Sequence, residues 1–201
     1  MTLITKNTFA KGPEGWCSYD YHQSMAQRDR KGIFVLLTTE KHGGINDGPY
    51  AWTTHHLWTP DIPEDPISIL PLLHYRGWMN EDKVDLRDAE VSFSLRGDNL
   101  NLRGAECYFW VVCGSVGSGD TRWHLNSSPI DIPEGEWQSN PTTLKLTPDE
   151  NLWHNSWYKG KYTPLTDCLR NCASYGFSFV GFSKALLGKL SIGHFEINKN
   201  M

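Results

Sequence analysis

The chain has no run of about 18 consecutive apolar residues, the length a membrane-crossing helix requires. Its opening MTLITKNTFAKG lacks the apolar centre of a signal peptide. A protein without a membrane segment is therefore expected, cytoplasmic as the sequence stands and extracellular if it was cut from a longer precursor. Clusters of Lys and Arg are missing as well. With 19 basic and 23 acidic residues the formal net charge is -4 and the pI near 6.0, so nothing provides the basic footprint of a nucleic-acid binder.

No Cys-x-x-Cys pair occurs, which excludes a zinc finger or ribbon. The five cysteines are an odd number, so they cannot all pair within the chain. Cys107 and Cys113 are separated by roughly 20 Å on an extended strand, far beyond disulfide reach, and read as small buried hydrophobes. Cys168 and Cys172 are neighbours in a predicted helix, where a bridge would be strained, so both are expected as thiols. No Gly-x-Ser-x-Gly elbow is present, and GSVGSGD lacks the lysine of a phosphate-binding loop, reading instead as a hairpin turn. The carboxylates Asp131, Glu134, Glu136, Asp149 and Glu150 lie in the turn-like stretches DIPEGEW and TPDEN. Nothing pairs them across a glycosidic bond, and no catalytic residue is assigned.

Aromatic residues are abundant: nine Trp, eight Tyr and eight Phe in 201 residues. That is more indole than one core needs, so some of it should be exposed or line a groove. A length of 201 residues suits a single all-β domain over residues 1–201. Short apolar or alternating runs support this reading: GIFVLLTTE, VSFSLRGD, AECYFWVVCG, TTLKLT, FSFVGFS and KLSIGHFEI, separated by Gly, Asn, Asp and Pro. In VSFSLRGD, Val91, Phe93 and Leu95 point one way and Ser92, Ser94 and Arg96 the other. Pairing this run with AECYFWVVCG as a hairpin would place Ser92, Ser94, Arg96, Tyr108 and Trp110 on one shared face. Leu190 and Ile192 have the opposite parity to Phe195 and Ile197, which predicts a β-bulge near Gly193. The stretch YTPLTDCLRNCASYG predicts the one helix, capped by Thr163, with Pro164 at its first position and Gly176 at its end. Four prolines between Thr59 and Pro71 predict a stiff, extended loop.

These features resemble the jelly-roll carbohydrate-binding modules of the galactose-binding-domain-like group. FAKGPEGW is similar to their first segment, VDLRDAEVSFSLRGDNLNLRGAECYFWVV to their central strands, and TTLKLTPDENLW, a short helix and GKLSIGHFEI follow in the order such modules use. The resemblance covers most of residues 9–197. It implies an all-β fold, a two-sheet antiparallel β-sandwich with one short helix, and a carbohydrate ligand. It implies no cofactor other than a structural calcium, although Gly193 and His194 stand where the family's terminal strand often carries an Asp.

A sugar presents apolar faces edged with hydroxyls, so a site for it needs aromatic planes and planar polar groups. Trp110, Tyr108, Trp52 and Trp58 are the candidate planes, and Arg96, Arg122, His55 and His124 the candidate polar partners. On a strand His55 and His56 would face opposite sides, which argues against a shared metal. Three alternatives stay open at this point. The tryptophans could anchor loops to the core, Tyr75 and Arg76 could join a histidine in a lyase or hydrolase, or exposed aromatics could join copies of the chain into a homo-oligomer.

Overall fold

The computed structural model describes residues 2–20, 33–58, 68–114, 120–156 and 160–199. The strands of the first half are β1 (Thr2–Asn7), β2 (Trp16–Asp20), β3 (Ile33–Leu36), β4 (Thr38–Glu40), β5 (Tyr50–Thr54) and β6 (Ile69–Tyr75). Then come β7 (Ala89–Asn101), β8 (Glu106–Val112), β9 (Arg122–His124), β10 (Thr142–Lys145), β11 (His154–Ser156), the helix α1 (Leu165–Arg170), β12 (Ser174–Val180) and β13 (Leu187–Lys199). They form two antiparallel sheets. The first has the order β10-β7-β13-β5-β4, with β1 also on β13, and the second the order β11-β9-β8-β12-β6-β2-β3. Among the described residues no helix is long and apolar enough to cross a membrane.

The two sheets face each other across one core, built by period-two alternation. Val91, Phe93 and Leu95 of β7 and Leu190, Ile192, Phe195 and Ile197 of β13 meet Cys107, Phe109 and Val111 of β8 and Tyr175, Phe177 and Phe179 of β12. The rings interlock at close range: Phe93 meets Phe177 edge-on at 4.7 Å, and Tyr175 stacks on Phe195 at 5.4 Å. Each such side chain contributes roughly 1.5–3 kcal/mol through burial. The parity change in the last strand is resolved as expected. The register shifts between Ile192 and His194, so apolar residues on both sides of Gly193 point inward.

The segment FAKGPEGW folds as a loop tied by one carboxylate. Glu14 accepts from Asn7 Nδ2, Thr8 N and Lys11 N, and Trp16 Nε1 donates to Asn7 Oδ1, so Phe9 and Trp16 are driven into the core.

Three sequence expectations are corrected. First, β7 and β8 do not form a hairpin. They lie in opposite sheets, joined by the turn at Arg103 and Gly104, both with positive φ. Alternation fixes which residues face inward, and it is satisfied equally when two consecutive strands face each other across the core. Second, the helix ends at Arg170, and Gly176 sits inside β12. A Cβ at Gly176 would stand 2.1 Å from the carbonyl oxygen of Leu72, so the glycine is there for strand approach and not as a cap. Third, Pro71 lies inside β6, where the register against β12 shifts, a place that tolerates the missing N–H. The other prolines of that stretch, Pro60, Pro63 and Pro66, lie outside the described residues, as do residues 115–119 of the glycine-rich turn. Glu134 is exposed in its turn, where it accepts from the backbone N–H groups of Asn99 and Leu100.

Candidate functional site

Placing β7 and β8 in different sheets divides the candidate residues between the two outer faces. Tyr108, Trp110, Arg122 and His124 belong to the second sheet. Trp110 is fully buried there, against Cys17, Tyr19, Leu70, Leu73 and Val112, with the Arg122 guanidinium 5.8 Å above its ring. Its ring faces are therefore closed to a ligand. Tyr108 is buried as well and its hydroxyl donates to Glu106. Burial and the neighbouring Glu106 carboxylate push the Tyr108 phenol up to about 12. Arg122 donates to Ser68 Oγ at 3.0 Å. His124 uses both ring nitrogens, on Ser178 Oγ at 2.8 Å and Ser156 Oγ at 2.9 Å, so its place is structural. Trp58 joins the core, edge-on to Phe179, with its indole N–H on Thr53 Oγ1.

The first sheet holds the remaining residues in accessible positions. Across its outer face side chains line up in rows, because residues directly opposite on neighbouring strands have Cβ atoms about 5 Å apart. One row runs Thr38, Trp52, Ser191, Arg96 through β4, β5, β13 and β7. The next runs Thr54, Lys189, Asp98. Lys189 Nζ bridges the two, 2.8 Å from the Asp98 carboxylate and 5.5 Å from the centre of the Trp52 ring. Trp52 is half-buried, and its indole N–H reaches the Glu40 carboxylate at 3.3 Å.

Arg96 organises the other end of the row. Its guanidinium lies between two aromatic rings, 5.2 Å from Tyr50 and 4.7 Å from Trp137. It also donates to the carbonyl of Gly43 and to Asp98. The Trp137 N–H donates to the same Gly43 carbonyl at 2.9 Å. Two loops are thus fastened onto the sheet by one cation. The glycine of the bulge is part of this arrangement, since the Trp137 ring lies over Gly193 where a Cβ would approach it to 3.0 Å. Three buried polar atoms on this side of the sheet, Ser94 Oγ, Ser191 Oγ and Arg96 Nε, have no hydrogen-bond partner among the described residues. Buried groups of this kind need partners, which water can supply.

Beyond the second row a pocket of about 540 Å³ opens between Thr54, His55, His56, Asp98, Gly188 and Lys189. The histidines are not on a strand as expected. β5 ends at Thr54 and the chain turns into a 3-10 segment at His55–Leu57, which brings the two ring centres to 4.0 Å from each other. His55 Nδ1 accepts from the N–H of Gly188 at 3.1 Å, which fixes that ring. Among the described residues no group of three or more His, Cys, Asp or Glu is placed to hold a metal ion. Tyr75 and Arg76 do not join this pocket. Arg76 is held by Glu81 at 3.0 Å, the carbonyl of Asp82 and Thr5, and Tyr75 packs against Trp78.

Of the candidate residues named from the sequence, Trp52, His55 and Arg96 lie on this face, beside Tyr50, Asp98, Trp137 and Lys189, which the sequence did not single out. Register links Asp98 and Lys189 to the site, and register is invisible until the sheets are assigned. Trp137 sits among Pro, Gly and Glu residues that read only as a loop.

The sequence matches no family model and no curated protein. Solved structures that share its fold include two with a TM-score above 0.5. The chain aligns over its full length with an exo-β-agarase at 13% identity and a TM-score of 0.52, spanning 26% of that enzyme's chain. It aligns over 82% of its length with a family 11 carbohydrate-binding module from a cellulosomal cellulase of Clostridium thermocellum, at 13% identity and a TM-score of 0.51, spanning 82% of that chain. The fold is thus an antiparallel jelly-roll sandwich of the kind found in carbohydrate-binding modules.

Proposed function

We propose that residues 1–201 act as a single carbohydrate-binding module, with the ligand lying across the outer face of the first sheet along the row from Trp52 to Arg96. The observation that carries this reading is an accessible indole, Trp52, flanked by Lys189, Asp98 and Glu40 on the outer face of the first sheet. An indole plane supplies area for the apolar face of a sugar ring, and the charged groups supply directional hydrogen bonds to its hydroxyls. Lys189 would leave the Trp52 ring when a sugar stacks there, keeping its pair with Asp98. His55 and His56 extend the same surface into the adjacent pocket. The shared fold with a carbohydrate-binding module and with part of an agarase supports this reading.

The test is intrinsic tryptophan fluorescence titrated with soluble β-glucans and agaro-oligosaccharides, comparing the native protein with Trp52→Ala. A saturable shift lost in Trp52→Ala and retained in Trp110→Phe supports the proposal. A shift that survives in Trp52→Ala places the ligand elsewhere, and no shift across the panel removes carbohydrate binding as the function.

A further inference from the structure

The pocket of about 540 Å³ beside the Trp52 row is built on an irregularity of the sheet. Leu187 faces Asn101 but Lys189 faces Asp98, so β7 carries one residue more than β13 here, and Asn99 takes a positive φ. The two backbones are pressed together at this bulge, since a Cβ at Gly188 would stand 2.3 Å from the carbonyl oxygen of Asn99. Asp98, Asn99 and Lys189 line the pocket from one side, and Thr54, His55 and His56 from the other. The N–H of Gly188 donates to His55 Nδ1 at 3.1 Å, which ties the two walls together.

The polar groups of these walls are unevenly used. Asp98 is the one carboxylate among the lining residues, and its charge is met twice, by Lys189 Nζ at 2.8 Å and by the Arg96 guanidinium at 3.3 Å. Those three side chains keep an excess of one positive charge. An ammonium has three N–H groups, and Asp98 takes one of them. The Gly188 carbonyl oxygen is as near to His55 Nδ1 as its N–H is, but a hydrogen on Nδ1 would collide with the one that Gly188 N presents to it. The neutral ring therefore carries its hydrogen on Nε2, and a protonated ring carries one there too. Nε2 has no hydrogen-bond partner among the described residues. The charged capacity left in the pocket is thus all on the donor side. A sugar hydroxyl both donates and accepts, and Thr54 or Asn99 serves it as well as a charged group does. A carboxylate or sulfate only accepts, and it alone gains from the positive charge.

We propose that this pocket seats an acidic substituent of the saccharide, a carboxylate or a sulfate ester, held by Lys189 and His55, so that the ligand is an anionic poly- or oligosaccharide. This rests on the Trp52 row being the sugar face. Lys189 joins the two parts, because its Nζ lies 5.5 Å from the centre of the Trp52 ring and the same side chain lines the pocket. A sugar ring stacked on the indole turns the ammonium toward the pocket, where it meets the acidic group together with the Nε2–H of His55. The neutral part of the saccharide binds along the row by itself, and the acidic group adds to it. One hydrogen bond between charged partners corresponds to a gain in affinity of about tenfold or more. The chain as a whole, with a formal net charge of -4, offers an anion no general attraction, so such a gain is local.

The test titrates the protein, by tryptophan fluorescence, with matched ligands: β-glucan oligosaccharides before and after oxidation of their primary hydroxyls to carboxylates, and agaro-oligosaccharides before and after sulfation. The acidic member of at least one pair should bind about tenfold more tightly than its neutral parent, and the pair that shows it identifies the acid. Methyl esterification of the carboxylates should abolish their gain, and added salt should diminish either. The ratio of acidic to neutral affinity should fall toward one in Lys189→Gln and part of the way in His55→Phe, whatever each variant does to neutral binding; a thermal melt establishes that each is folded. The comparison within each pair needs no variant. Equal or weaker binding of both acidic members overturns the proposal and leaves the sugar face standing, as does a ratio that both variants preserve. Absence of binding by every member removes the sugar face as well.

Discussion

Arg96 is the cation on which two loops converge, and its removal should be felt in stability. Replacing it with Ala deletes two ring contacts, at 5.2 and 4.7 Å, a hydrogen bond to the carbonyl of Gly43, and a link to Asp98. Each cation–π contact contributes about 0.5–1 kcal/mol. A hydrogen bond from a charged donor contributes about 1.5 kcal/mol, and the partly exposed pair with Asp98 adds little because Lys189 also holds that carboxylate. The expected destabilisation is about 3 kcal/mol, which for a chain of this length lowers Tm by roughly 6–12 °C. Urea unfolding followed by near-UV circular dichroism measures it. Arg96→Lys should recover less than half of the loss, since an ammonium cannot lie flat between two rings. A double-mutant cycle with Trp137→Ala should give a coupling of about 0.5–1 kcal/mol. A loss below about 1 kcal/mol for Arg96→Ala, or zero coupling to Trp137, would refute the idea that this cation fastens the loops.

Other expectations follow from single positions. Gly176→Ala drives a methyl into the Leu72 carbonyl and should cost about 3 kcal/mol or more, seen as a lowered urea midpoint; an unchanged midpoint would mean that β6 and β12 can move apart. His74 is stacked on Tyr175, and burial together with the Arg76 charge lowers it from 6.5 to about 4. Between those values the unfolded chain holds a proton that the folded one does not, so stability should fall by about 3 kcal/mol as pH drops from 6.5 to 4. His74→Gln should remove that slope while leaving the further fall below about pH 4 due to Asp85, whose carboxyl is held low by Arg87 and Lys199.

How much of this was legible in the sequence depends on what each signal encodes. Alternation in VSFSLRGD and AECYFWVV gave the inward residues correctly, because side-chain parity is a local property of an extended chain. It could not say that β7 and β8 belong to different sheets, since a strand presents the same parity to a neighbour beside it and to a partner across the core. The split of Trp110 and Arg96 onto opposite faces follows from that ambiguity alone. The bulge at Gly193 was readable because a parity slip in a buried strand has few remedies. Gly176 misled because a glycine after a helical stretch serves as a cap far more often than as a close-approach position. At AWTTHHLW no residue type announces a turn, yet β5 gives way to a 3-10 segment at His55, and the two histidines share a surface that strand parity had denied them.

The place of β13 in the first sheet has a consequence for how the protein comes into being. It pairs with β1, β5 and β7, and without it that sheet separates into β1, the β4–β5 pair and the β7–β10 pair. All of these partners precede it in the chain. During synthesis the ribosome therefore releases every other strand of the sheet before the one that joins them. Until then the inner sides of Val91, Phe93 and Leu95 await their neighbours, and a nascent chain stalled before Leu187 would present those residues to chaperones. Closure over so many intervening residues also predicts slow folding, in the range of milliseconds to seconds typical of sandwiches dominated by distant pairings.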